Sequence, residues 1–395
     1  LRLRLLTEIH LVVLHKSVID SLGNLLLTCV GGHNLQVVLV RQKTDLGQHT
    51  RHLRIAQYPQ RLSIDQRTTI TVSNGALMML LHQISERVTI LQQSELHRLD
   101  ICTHSGCGSS IRHIDQIVAI GIFDYARRND GLVPMNFPSR YIQDSSTYSM
   151  CWAMMLGDYA LWHGTNEFLR LRIPGARHTL SAIAASENGD GLLVDLPGWS
   201  FMDWVPEWDF YGNAPNGRRG LSALNNLLYV YALKSLAYAE ESLGESDMAA
   251  CRRRRAERTA RAVVKRFWSE ERGMIADTEA KDVFSEHGQC LAILTGILSP
   301  ERERRAFEGL LNAKDLARTT VYFSHYLFAT NRKFGRADLF LKRLDLWRGY
   351  LADGLKTPVE APGVRARSDC HAWGAHPLYH LQTGVAGIRP AANGF

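Results

Sequence analysis

Residues 196–220 read LPGWSFMDWVPEWDFYGNAPNGRRG, and residues 221–243 continue as LSALNNLLYVYALKSLAYAEESL. The first stretch has no sustained period and is broken throughout by Pro, Gly and Asn, which marks a loop. The second carries Leu224, Leu227, Leu228, Val230, Tyr231 and Leu233 at helical spacing, which predicts a helix over 220–243. The same alternation of long loop and helix recurs along the chain after residue 120. Helices are expected over 145–163, 166–186, 247–271, 283–298, 301–312, 321–333 and 337–351. Ser299, Pro300 and Glu301 offer an N-cap, a proline at the first helical position and an early acid. Gly273, Gly335 and Gly354 stand where helices are expected to end. No strand of convincing alternation is expected after residue 120. Antiparallel helix pairs joined by long loops predict stacked αα-hairpins in a mainly α chain.

Upstream the character changes. All eight tryptophans lie at or after Trp152, and eleven of the twelve prolines follow Pro59. Residues 1–118 hold more than half of the histidines and little periodicity. LQVVLV (35–40) and TTITVS (68–73) are expected as short strands and ALMMLLHQISERVTILQQSEL (76–96) as a helix. The chain therefore divides into 1–118 and 119–395. The first part is an unassigned segment. It is either a small unrelated domain or a stretch outside a natural coding frame, and the other frames of the encoding DNA would separate the two.

The chain has 395 residues, 45% hydrophobic and 22% charged, with net charge +7. That is ordinary for a globular protein. The basic run Arg252–Arg255 sits in a helical stretch and is expected as a solvated face. Several such clusters with interleaved aromatics would be needed for a nucleic-acid partner, so none is expected. Seven dispersed cysteines without a CxxC pair argue for a reducing compartment. Cys102, His104, Cys107 and His113 fit no zinc spacing, and no cofactor is expected. No apolar run reaches membrane-spanning length, so no membrane partner and a cytoplasmic location are expected. The opening LRLRLLTEIHLVVLHK lacks an initiating Met and a small-residue cleavage site, and reads as the edge of a fragment rather than a signal peptide.

Three loops carry candidate chemistry. GLVPMNFPSRYIQDSSTYSMCW (131–152) leads into a helix, and Asp144 or Ser145 is placed to cap it. The loop at 196–220 holds Trp199, Trp204 and Trp208 with Asp203, Glu207 and Asp209. Aromatic faces stack on sugars and carboxylates accept from hydroxyls; the competing reading is an aromatic plug beneath a loop. TPVEAPGVRARSDCHAWGAHPLYHLQTG (357–384) sets Glu360 near Asp369, His371, Trp373 and His376. Inverting glycoside hydrolysis needs a carboxylate base opposite a carboxylic acid, drawn from different loops.

The stretches DGLVPMNFPSRYIQDSSTYSMCW, LPGWSFMDWVPEW, SALNNLLYVYAL, FSEHGQCLAIL and RSDCHAWGAHPLYH occur in order. Together they resemble the six-hairpin catalytic domain of glycoside hydrolase family 78, the bacterial α-L-rhamnosidases. The resemblance implies an (α/α)6 toroid and an inverting release of L-rhamnose from a rhamnose-containing oligosaccharide or glycoside. It implies Glu360 as general base, and Asp144, Trp152, Asp203, Trp204 and His371 as sugar-contacting positions. The family's acid segment has the form DxxRxExxxWxGD, and residues 1–118 contain no Trp and no match to it. The toroid is therefore expected to be incomplete and the activity impaired. The ending GIRPAANGF resembles the point where the family's C-terminal β-sandwich begins, so a truncation there is expected. The alternatives are another (α/α)6 glycosidase, or a non-catalytic or vestigial carbohydrate-binding protein. The oligomeric state has no signature in the sequence.

Overall fold

The computed structural model describes residues 25–28, 35–39, 68–72 and 108–394, apart from 138, 142 and 364–367, with side chains described from residue 117 onward. Two compact units divide at 84/85. In the first, β1 (Leu25–Thr28), β2 (Leu35–Leu39) and β3 (Thr68–Val72) form an antiparallel sheet in sequence order. The register pairs Leu25 with Leu39 and Leu35 with Val72. The strands expected near 35–40 and 68–73 are β2 and β3. The helix expected over 76–96 lies outside the described residues.

The second unit is mainly α. Helix α1 (Gly108–Tyr125) runs across residues 118–119. Four helical hairpins follow among the described residues: α2 (Ser146–His163) with α3 (Glu167–Ala184), α4 (Ala223–Ser242) with α5 (Ser246–Phe267), α6 (Glu286–Leu294) with α7 (Pro300–Asn312), and α8 (Ser324–Lys333) with α9 (Ala337–Arg343). A further helix, α10 (Asp345–Ala352), a 3-10 turn (Ala372–Ala375), the short α11 (Pro377–His380) and a π turn (Leu381–Val385) complete the order.

The first helix of each hairpin is buried on nearly every face, and the second on one stripe. In α4 Leu224, Asn225, Asn226, Leu227, Leu228, Tyr229 and Val230 are all buried. In α5 only Ala249, Arg252, Ala256, Thr259, Val263 and Phe267 are, at spacings of three and four. This is the pattern of an inner helix and an outer amphipathic partner. The inner helices pack in succession, α2 on α4, α4 on α6, α6 on α8, and α8 on α11. The described residues thus form an arc of an (α/α)6 toroid rather than six hairpins.

Two of the inner helices, α2 and α6, begin with side-chain caps. Ser145 accepts from Tyr148 N and Ser285 from Gly288 N. Ser299 caps α7 with Pro300 at its first turn, as expected. Several expectations shift, and the helix expected over 283–298 spans only Glu286–Leu294. The helix expected to run to 271 ends at Phe267, because Trp268 leaves in extended conformation and β4 (Trp268–Ser269) pairs with β5 (Met274–Ile275). Gly273, at φ +64°, therefore serves that hairpin rather than a helix end, whereas Gly335 and Gly354 do follow helices at positive φ. The helix expected over 337–351 is two helices meeting at Leu344. In the basic run Arg253 and Arg254 are exposed, but Arg252 turns inward, 3.7 Å from the buried Glu240.

Candidate functional site

The loops preceding the inner helices collect at one end of the arc. Ser145, not Asp144, caps α2. Asp144 pairs instead with the Trp-rich loop: Trp199 N donates to Asp144 O at 2.8 Å, and Ser145 bridges Gly198 and Trp199. Gly198 has φ +71°, and a Cβ there would lie 2.7 Å from Asp144 O. Only glycine permits both the conformation and the approach. Burial pushes the Asp144 carboxyl upward, opposed by Arg128, whose Nε lies 3.4 Å from Oδ2. Asp144 Oδ1 is buried with no hydrogen-bond partner.

The Trp-rich loop is organised by its acids. Met202 N and Asp203 N both donate to Gly212 O. Asp209 accepts from Tyr211 N, Asn213 N and Asn213 Nδ2, closing a tight turn. Asp203 has no exposed surface. Its Oδ1 accepts from Trp204 N at 2.9 Å and from the Thr320 hydroxyl. Its Oδ2 bonds Thr320 N at 2.7 Å and His287 Nε2 at 2.8 Å. Two partners per oxygen fill the acceptor capacity of a carboxylate. Asp203 thus clamps the start of α8 and α6 to the backbone of Trp204.

Glu360 sits in the third loop, 1% exposed. Its amide donates to Ser368 O at 2.9 Å, and its carbonyl accepts from Trp373 Nε1 at 2.7 Å. His371 Nδ1 is 4.0 Å from Glu360 Oε2. The His371 ring lies 4.2 Å from that of Trp373, and its amide donates to Pro358 O. Trp373 stacks on Phe201 at 5.8 Å with an interplanar angle of 8°. Phe201 in turn meets Trp204 edge-on at 4.9 Å. A continuous aromatic wall, Trp204–Phe201–Trp373–His371, therefore links the second loop to the third and ends at the Glu360 carboxylate.

The structure gathers Asp144, Asp203, Trp204, Glu360 and His371 onto these neighbouring loops. Trp152 differs. It is fully buried within α2, its indole N–H donates to Ile120 O at 3.2 Å, and Arg127 lies 4.4 Å over its ring. That packing places it in the helical core beside α1. Phe201, His287 and Thr320 are site residues that the sequence reading does not name. Phe201 alternates with Trp199 in the same loop, and its aromatic character was a usable signal. His287 and Thr320 come from distant segments and gave none.

One group of described residues could hold a metal ion: the ring nitrogens of His325, His376 and His380 lie within 4.8 Å of one another. Yet His380 Nε2 bonds His325 Nδ1, and His376 Nε2 donates to Val321 O, each at 2.8 Å. Burial pushes the His376 imidazole down to about 4, which favours its neutral form, while His325 and His380 are joined by their own ring-to-ring hydrogen bond. Of the earlier Cys/His group, Cys102, His104 and Cys107 lie outside the described residues, and His113 is described only as part of α1. No helix among the described residues is long and apolar enough to cross a membrane.

Residues 120–385 match the bacterial alpha-L-rhamnosidase 6 hairpin glycosidase domain. The fold is similar to that of a GH78 family rhamnosidase of Bacillus sp. GL1, with TM-score 0.64 and 23% identity over 71% of this chain and 31% of that one. It is similar to a rhamnosidase from Klebsiella oxytoca with rhamnose bound, with TM-score 0.62 and 19% identity over 76% of this chain and 58% of that one. An alpha-L-rhamnosidase from Aspergillus terreus gives TM-score 0.64 and 16% identity over 78% and 36%. The chain thus spans less than two thirds of each, and at these identities the likeness is one of fold. No curated protein matches the sequence.

Proposed function

The chain belongs to the bacterial alpha-L-rhamnosidase six-hairpin glycosidase family, and on that premise we propose that it removes terminal α-L-rhamnose by inversion, with Glu360 as general base. The observation that carries this is the Glu360 carboxylate, 1% exposed, beside His371 at the end of an aromatic wall. A base must hold its carboxylate against the reacting face and deprotonate a water there. Trp204 supplies an aromatic face for the sugar. Asp144, with Oδ1 unpartnered, accepts from a sugar hydroxyl, and His371 contacts the sugar next to the base. Asp203 acts through Trp204 and Thr320 as a positioning residue.

The residues present supply the base side of the reaction, and no DxxRxExxxWxGD segment occurs in the sequence. A general acid contributes about 10²–10⁴-fold in rate, so residues 1–395 acting without one would turn over natural rhamnosides with poor leaving groups slowly. The test is hydrolysis of two aryl α-L-rhamnosides, one with a good leaving group and one with a poor one, by the chain and by Glu360→Gln. The expected result is cleavage of the activated substrate alone, lost in Glu360→Gln. Efficient cleavage of both would reveal an acid elsewhere; activity surviving in Glu360→Gln would remove Glu360 as the base.

A further inference from the structure

The imidazoles of His325, His376 and His380 meet where α8 packs against α11. One ring nitrogen of each lies within 4.8 Å of the other two. The three residues are only 5%, 2% and 1% exposed. His376 and His380 stand four apart across α11, a spacing that sets two side chains on one helical face, and His325 comes from α8. We infer that these imidazoles form a structural site for a divalent transition metal of the zinc type, which ties α8 to the segment carrying Trp373 and Glu360.

Three features point to an imidazole-bound ion. The first is the ligand set. Imidazole suits zinc, copper and nickel, whereas calcium and magnesium take oxygen ligands, and the group contains no carboxylate. The second is the way His376 is held. Its Nε2 donates to Val321 O at 2.8 Å, so its lone pair is on Nδ1, which is buried with no hydrogen-bond partner among the described residues. A ligating histidine commonly gives its other N–H to a backbone carbonyl, which fixes tautomer and ring orientation. The third is the His325–His380 pair, whose Nδ1 and Nε2 already face each other at 2.8 Å. Two nitrogens on one tetrahedral zinc ion, each about 2.0–2.1 Å from it, stand about 3.3 Å apart. The pair therefore parts by only about 0.5 Å to admit the ion. The proton shared between them moves to the other nitrogen of the donating ring, and all three ligands are neutral imidazoles.

The surroundings suit such an ion. The Phe328 ring lies 5.4 Å from that of His376 and 5.2 Å from that of His380, and Trp347 lies 5.4 Å from His376. This apolar shell holds the imidazoles in place. The buried Asp203 carboxylate is close enough to act electrostatically on His376, and it offsets part of the ion's charge. Three protein ligands leave the fourth position of a tetrahedral ion to a water. His376 follows Trp373 by three residues, and the Trp373 indole holds the Glu360 carbonyl. The ion would thus brace that loop against α8. With so little exposed surface, the group takes up its metal as the chain folds.

This site does not depend on the role proposed for Glu360. The full chain would be produced in zinc-supplemented medium and passed over a chelating resin to strip loosely held metal. About one zinc per chain is expected to remain. X-ray absorption at the zinc edge of that sample counts the ligands directly, and three imidazoles are expected. His376→Gln keeps an amide donor for Val321 O but offers no nitrogen lone pair. It is expected to retain at most about a tenth of the zinc, with circular dichroism establishing that it keeps its fold. Should that variant fail to fold, the ligand count on the parent still decides. A zinc-free parent, a zinc shell with fewer than three imidazoles, or a folded His376→Gln as rich in zinc as the parent would each overturn the assignment.

Discussion

The indole N–H of Trp373 donates to the carbonyl oxygen of Glu360 across 2.7 Å. Both residues are almost fully buried, at 2% and 1% exposure, so the bond locates the backbone of the proposed base rather than its carboxylate. Trp373→Phe keeps an aromatic ring against Phe201 but removes the donor. A buried carbonyl left without its partner costs about 1–3 kcal/mol. Denaturant unfolding should show a loss of that size. Turnover of an activated rhamnoside should fall with it, because the Glu360 loop is released. Unchanged stability would mean the bond contributes nothing.

Asp203→Asn tests the clamp. An amide has one acceptor oxygen where the carboxylate has two. If its NH2 replaces Oδ1 it faces Trp204 N; if it replaces Oδ2 it faces Thr320 N. Either way a backbone N–H meets another donor, and a backbone amide has no alternative tautomer. A loss on the order of 3 kcal/mol is expected. A shift in Trp fluorescence should accompany it as the loop around Trp204 loosens. A variant as stable as the parent would show that Asp203 is not the anchor described.

Gly198→Ala addresses how two loops meet. The substitution combines a φ of +71° with a Cβ 2.7 Å from Asp144 O. The left-handed conformation alone costs a non-glycine residue about 1–2 kcal/mol, and the contact adds to it. The midpoint of unfolding should fall by more than that conformational term predicts. Sugar binding should weaken as well, since Asp144 is displaced. Thermal and binding measurements on the same sample check both.

Asp277 should give the chain a distinctive pH dependence. It is fully buried, Oδ1 accepts from the Ser285 hydroxyl at 2.8 Å, and Oδ2 has no partner. Burial pushes its carboxyl up to about 8. In an unfolded chain the same group ionises near ~3.9. Between these values the unfolded state has released a proton that the folded state retains. This contribution is therefore complete below the lower value and is lost as pH rises through the upper one. Asp277→Asn carries no such proton. Its melting temperature should gain on the parent by roughly 2–4 °C for each pH unit between about 5 and about 8. Parallel curves for the two proteins would mean that Asp277 ionises normally.

Much of the helical layout was legible locally. Leu224, Leu227, Leu228 and Leu233 recur at helical spacing, and Ser299-Pro300 marks the start of α7. Boundaries failed where no local signal exists. Leu344, where the expected 337–351 helix divides, has neither Gly nor Pro as a neighbour. The early end of α5 at Phe267 depends on Trp268 pairing with Ile275, a partner that periodicity cannot show. Trp152 illustrates the same limit within the site. Nothing in its local sequence shows that it lies under Arg127 with its N–H on Ile120.

The sequence by itself determined the helical hairpins, the three polar loops between them and the residue types available for chemistry. Spacing, caps and composition act over a few residues, and those are written in the chain. Tertiary structure alone decided which of these residues meet. Asp203 reaches Thr320 across 117 positions and His287 across 84, and Phe201 stacks on Trp373 from another loop. Such contacts depend on how successive inner helices pack, since it is their packing that brings one end of each helix, and the loop before it, to a common face.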